Sequence, residues 1–187
     1  MPQTVDKFRE LILYVARETE GDERCGATKL NKILFYADFR AYQMLGQSIS
    51  GQTYQKLEYG PAPKGIVPAV EAMVEGKECV WADRNHFGLH QKKLVALREA
   101  ELDGFSASEI DLVRDVIDEL RPLSARQISD LSHEFVGWQA ADHGDDILYE
   151  TVFVSEMREL TGEEQEWAAD AADRHLGGDD AARPFDC

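Results

Sequence analysis

Near neutral pH the side chains with the widest chemical latitude are histidine and cysteine, and this chain holds five of the first and three of the second. His86 and His90 stand four apart, a spacing that on a helix sets both imidazoles on one face as metal ligands. Gly88 lies between them, no glutamate follows His86, and the surroundings read as a hairpin loop, so the pair is read as solvated. His133, in Ser132-His133-Glu134 ahead of Trp138, is suited to acid–base work. No nucleophile is assignable beside it, and the bland alternative is a helix-end or core hydrogen bond. Cys25 precedes a helix, where a thiolate is favoured, yet it lacks a histidine partner and reads as an ordinary exposed thiol. Cys79 belongs to an apolar strand pattern, and Cys187 is terminal. The adjacent acids Asp145-Asp146 and Glu163-Glu164 cannot face each other on a helix or a strand, so neither forms a two-carboxylate site. A Gly-rich phosphate loop, GxSxG and HExxH are all missing. The chain reads as a non-enzyme with no cofactor or metal, and an enzyme centred on His133 is the minor alternative.

Composition narrows the partners. Of 187 residues, 36 are acidic and 20 are Lys or Arg, a net charge of -16. A nucleic-acid binder gains affinity by replacing phosphate counterions with Lys and Arg, so this balance argues against direct nucleic-acid binding and against an anionic membrane surface. A neutral small molecule, a basic protein or a mixed protein interface remains a natural partner. The chain lacks an apolar run of the roughly 20 residues that span a bilayer, and MPQTVDKFRELI lacks the layout of a secretory signal. The expected location is cytoplasmic. Three widely spaced cysteines do not make a disulfide framework.

The apolar pattern supplies the elements. Phe8, Leu11, Ile12 and Val15 mark one face of a first helix, with Gly21 as a stop. From Ala27 to Leu45 apolar residues cover most of the circumference, which predicts a central, buried helix ended by Gly46. Tyr54 to Tyr59 predicts a short strand running into a rigid turn at Gly60, Pro61 and Pro63. A helix over Val67–Val74 follows, then two short strands around Cys79–Trp81 and Leu94–Leu97. Ser106 with Glu109, Ser124 with Gln127, and Thr161 with Glu164 have the capping-box form and predict three helix starts. The second of these helices is expected to break near Gly137, Ile147–Val154 to add a third strand, and Glu163–Leu176 to form a polar terminal helix. The expected fold is α+β, a mainly helical domain with a small antiparallel sheet or hairpin over residues 4–160. An acidic C-terminal helix and flexible tail would occupy 161–187. Residues 155–187 carry ten acids and three bases, so the net charge of this stretch is -7.

The run Lys29-Leu30-Asn31-Lys32-Ile33-Leu34-Phe35-Tyr36-Ala37, with Tyr59-Gly60-Pro61 after it, resembles the Panacea-domain family, also described as SocA-like antitoxins. That family opens with a helix of the form KLxKLLYYA and then has a YGP turn. Ile128-Ser129-Asp130-Leu131-Ser132-His133 is similar to its LSH or LTH segment before a tryptophan, here Trp138, with Gly137 where the family usually has proline. The resemblance covers about residues 6–155. It implies a bacterial or phage antitoxin that neutralises, by direct binding, a toxin encoded by a neighbouring gene. The alternative is a proteolytic adaptor, since one relative delivers its toxin to a protease; a homo-oligomer stays open. The motif residues to follow are Lys29, Lys32, Tyr36, Tyr59, Gly60, Pro61, His133 and Trp138. Lys29 and Lys32 read as the solvated strip of the central helix, and Tyr36 and Tyr42 as core aromatics. Gly60 and Pro61 shape the turn, Tyr59 is the exposed anchor, and Trp138 packs either the domain or a partner.

Overall fold

A computed structural model describes residues 6–86 and 89–154 of the chain. By contacts the chain divides into Met1–Ser155 and Glu156–Cys187, and the description concerns the first unit. The expected capping box at Thr161, the terminal helix, the acidic tail and Cys187 lie outside the described residues.

Helix α1 spans Lys7–Glu18, and the Asp6 carboxylate accepts from the Phe8 and Arg9 amides at its start. Helix α2, Ala27–Leu45, is the central element: Leu30, Ile33, Leu34, Phe35, Ala37, Phe39 and Ala41 are buried around its circumference. It stops at Gly46, whose φ of 79° is the left-handed conformation that favours glycine. A hairpin follows, β1 Tyr54–Leu57 and β2 Gly60–Pro63, then α3 Ile66–Glu75 and a long hairpin, β3 Cys79–His86 and β4 Leu89–Ala96. Helices α4 Ala107–Leu120 and α5 Ala125–His133 each start with a complete capping box, at Ser106/Glu109 and Ser124/Gln127. Helix α6 Val136–Ala140, β5 Asp146–Ile147 and a 3-10 turn over Tyr149–Phe153 complete the unit. Both sheets are antiparallel, one in the order β2-β1-β5 and the other the β3–β4 pair. The fold is thus α+β and mainly helical, as expected.

Four local expectations are corrected. Gly60-Pro61-Ala62-Pro63 is a strand, and only Glu58 and Tyr59 turn. Prolines are admitted because β2 lies at the sheet edge. The stretch from Ile147 pairs only through Asp146 and Ile147; the chain then tightens so that Tyr149 packs on Phe39 and stacks on Tyr42, with centroids 4.5 and 5.2 Å apart. His86 and His90 lie on paired strands rather than in a loop. The break after α5 falls at Glu134 and Phe135, and Gly137 sits inside α6. A Cβ at Gly137 would collide with Thr151 Oγ1 and stand 2.6 Å from Phe135 Cε1, so the close approach of the 3-10 turn requires glycine there.

The apolar interior has two parts. The larger joins α1, α2 and α4 with the inner faces of α3 and the β3–β4 hairpin. The smaller is aromatic, with Phe35, Phe39 and Tyr54 in contact with Phe135 and Tyr149. Buried Asp38 ties α2 to the segment before β1 and to Tyr54 of this second part. Its carboxylate accepts from the Ile49 and Ser50 amides at 2.8 Å, from the Tyr54 hydroxyl at 2.7 Å, and from the Ser50 hydroxyl. Burial nevertheless holds the Asp38 carboxyl above its ordinary pKa, against those donors. The start of β1 is therefore fixed to α2 by a network in which most acceptor positions are filled.

Candidate functional site

The β1–β2 hairpin carries the Tyr59-Gly60-Pro61 motif, and the register explains how two prolines fit. In an antiparallel ladder, opposed residues either exchange both N–H···O bonds or none. Pro61 and Pro63, opposite Lys56 and Tyr54, must be in the second class. The Lys64 amide donating to Thr53 O at 2.9 Å keeps the same alternation. Consequently the Pro61 carbonyl faces away from β1, and the Lys32 ammonium on α2 donates to it at 2.9 Å. Gly60 has a φ of +96° and packs against Lys32 and Ser132. The Ser132 hydroxyl in turn donates to Ser129 O at 2.8 Å.

The other side of the hairpin rests on α6. The Trp138 indole N–H donates to Leu57 O at 3.3 Å. The His133 ring stacks on Trp138 with centroids 4.1 Å apart, and the Lys56 ammonium sits 4.3 Å from the Trp138 ring centre while donating to Ala141 O at 2.9 Å. His133 Nε2 is buried without a hydrogen-bond partner among the described residues. Trp138 thus packs the domain. Tyr59 is held at the tip of this braced hairpin and is 66% exposed.

Lys29, one turn before Lys32, is fully buried. Its ammonium donates to Arg121 O and Leu123 O, both at 2.9 Å, and lies 2.8 Å from Asp22 Oδ2 in an ion contact off the hydrogen-bond axis. It therefore caps the C-terminal end of α4, where carbonyls lack intrahelical partners. Tyr36 is half-buried, edge-on to Phe35 at 5.1 Å, and burial pushes its hydroxyl pKa up to about 12. Tyr42, also half-buried, donates its hydroxyl to Glu150 at 3.1 Å. Among the described residues no group of three or more His, Cys, Asp or Glu side chains could hold a metal, and no helix is long and apolar enough to cross a membrane.

A family model described as "Antitoxin SocA-like, Panacea domain" matches residues 30–139, more than half of the chain. The chain belongs to that family. No curated protein matches, and no solved structure does. The matched span runs from the first turn of α2 to the last turn of α6, so it holds Lys32, Tyr36, Tyr59, Gly60, Pro61, His133 and Trp138. Lys29 lies just before it.

In this Panacea domain the two lysines of the α2 motif are not a solvated strip. Lys32 is only 2% exposed, like its fully buried neighbour Lys29. The reason is that backbone carbonyls of other elements are directed at α2 and need donors there. Lys93 follows the same logic and escaped sequence reasoning: its buried ammonium donates to Thr19 O, Glu20 O and Asp22 O past the end of α1. A signal existed, because adjacent lysines on a strand face opposite ways and one of Lys92 and Lys93 had to face inward. Cys25 is also corrected, from exposed to buried, and burial pushes its thiol pKa up, away from a reactive thiolate. Cys79 is buried, as expected.

The Lys32 ammonium has no carboxylate against it among the described residues, and burial lowers its pKa from 10.5 to about 8. The folded chain therefore releases this proton before the unfolded chain does. Between about pH 8 and pH 10.5 the unfolded chain binds more protons, so the Lys32 contribution to stability rises with pH, by about 3 kcal/mol in all. It is lost again as pH falls through the folded pKa. Urea unfolding of the parent protein and of Lys32→Met at several pH values should show this rise in the parent alone. Parallel pH profiles for the two proteins would contradict it.

Proposed function

We propose that this chain is an antitoxin that neutralises a toxin encoded beside it by binding that toxin directly. Membership of an antitoxin-like family supports a toxin as partner. One observation favours binding over catalysis: the polar side chains of Lys29, Lys32, Ser132 and Trp138 are occupied inside the chain, and the His133 ring is stacked on Trp138. Lys32 and Trp138 both donate to hairpin carbonyls, Lys29 closes the end of α4, and Ser132 donates within α5. What they hold outward is Tyr59, an aromatic side chain with few torsions to immobilise on binding. The acidic balance of the chain suits a toxin with a basic surface, toward which it would be steered electrostatically.

Co-expression with the adjacent open reading frame tests the proposal. Cells expressing that frame alone should stop growing, cells expressing both should grow, and the two products should co-purify. A harmless neighbour, or rescue without any complex, overturns direct neutralisation.

A further inference from the structure

We infer that the toxin is captured by the face formed from the tip of the β1–β2 hairpin and the outward side of α5, and that the matching toxin surface is an apolar socket ringed by Lys and Arg. The inference rests on the reading of the chain as a toxin-binding antitoxin.

Tyr59 and Leu131 are the exposed apolar side chains here, at 66% and 42%. Gly60, next to Tyr59, packs directly on Ser132, next to Leu131, so the hairpin tip and the last turn of α5 are neighbours. The face is rigid. The hairpin is bonded to α2 through Lys32 and to α6 through Trp138, and its first strand is anchored by Asp38. A braced aromatic anchor loses little conformational freedom on docking, which is the property of residues that dominate interface energies.

Carboxylates outnumber cations around these anchors. Glu58 in the turn, Asp130 beside Leu131, and Glu134 at the end of α5 are all exposed. Glu58 and Glu134 have no cation in contact among the described residues, and Asp130 meets only Arg126, at 4.0 Å. Of the nearby cations, Lys56 is engaged by the Trp138 ring and Ala141 O, and Arg126 lies beside Asp130. A partner that buries Tyr59 and Leu131 therefore brings its rim against carboxylates, and Lys or Arg at that rim supply the complementary charge.

The test uses the full chain and the purified product of the adjacent open reading frame, with binding measured by calorimetry and association by surface plasmon resonance. Tyr59→Ala and Leu131→Ser should each weaken binding by roughly tenfold or more, with circular dichroism melting curves unchanged because both side chains are exposed. Glu58→Lys combined with Glu134→Lys should slow association by roughly tenfold at low salt, and the deficit should shrink as salt rises. Met44→Ser, at another exposed apolar position, should bind like the parent. If the parent binds and these face variants bind equally well, or if Met44→Ser is the variant that fails, the face is wrong while the antitoxin reading stands. If the parent itself does not bind, the antitoxin reading fails first.

Discussion

Lys29→Ala should destabilise the protein by about 3–5 kcal/mol, the range seen when one partner of a buried ion pair is removed. The Asp22 side chain is 7% exposed, and its Oδ2 would lose the ammonium that stands against it. Arg121 O and Leu123 O would lose their charged donor at the end of α4, and a water in the vacated space restores hydrogen bonds without the positive charge. A domain of this size has a total stability of about 5–15 kcal/mol, so the variant should melt far below the parent. Urea denaturation measures the loss. The double variant Lys29→Met with Asp22→Asn should recover a substantial part, because it removes the stranded charge and restores volume. A loss below about 1 kcal/mol for Lys29→Ala would show that α4 finds another donor and that the buried ammonium is dispensable.

Gly60→Ala should cost about 2–5 kcal/mol by two separable routes. A φ of +96° is strained for any residue with a Cβ. In addition, the new Cβ would overlap Ser132 Oγ and stand 2.7 Å from Lys32 Cε. Neither neighbour moves freely, since the serine hydroxyl is bonded to Ser129 O and the lysine to Pro61 O. Adding Ser132→Gly should relieve the overlap with the serine and leave the Lys32 contact and the backbone strain, so the double variant should be more stable than Gly60→Ala and less stable than Ser132→Gly alone. Thermal unfolding of the four proteins decides it. If Ser132→Gly brings no recovery, the penalty lies in the backbone and the Lys32 contact.

Much of the fold was legible because its determinants are local. The apolar circumference of Ala27–Leu45, the glycine after it and the two serine capping boxes each act within a few residues, and each element lies where the pattern put it. The candidate site was legible only in part. Tyr59 was marked as exposed, and it is. Lys29 and Lys32 were misread because their acceptors come from elsewhere in the chain: Pro61 is 29 positions from Lys32, and Arg121 and Leu123 are 92 and 94 positions from Lys29. A charged side chain in an amphipathic pattern defaults to solvent unless a distant carbonyl is known to be unpaired. Gly137 was taken for a helix breaker for a similar reason, since the Thr151 side chain that excludes a Cβ comes from beyond the next loop. The prolines of β2 were taken for a turn because local rules exclude them from a sheet, whereas the edge position that admits them is a property of the whole sheet.

That edge has a bearing on how anything can attach to the domain. With Pro61 and Pro63 in the non-exchanging pairs, and the amides of Gly60 and Ala62 turned toward β1, the outer margin of β2 presents no N–H between residues 60 and 63. An incoming strand would find no donors, and of the outward carbonyls that of Pro61 is already taken by Lys32, so it could not complete a ladder. The margin is closed to strand addition, whether by a second copy of the chain in an aggregate or by an extended segment of a partner. Recognition at this end of the molecule has to proceed through side chains, and its specificity is set by what stands at positions 58, 59 and 131 rather than by main-chain pairing.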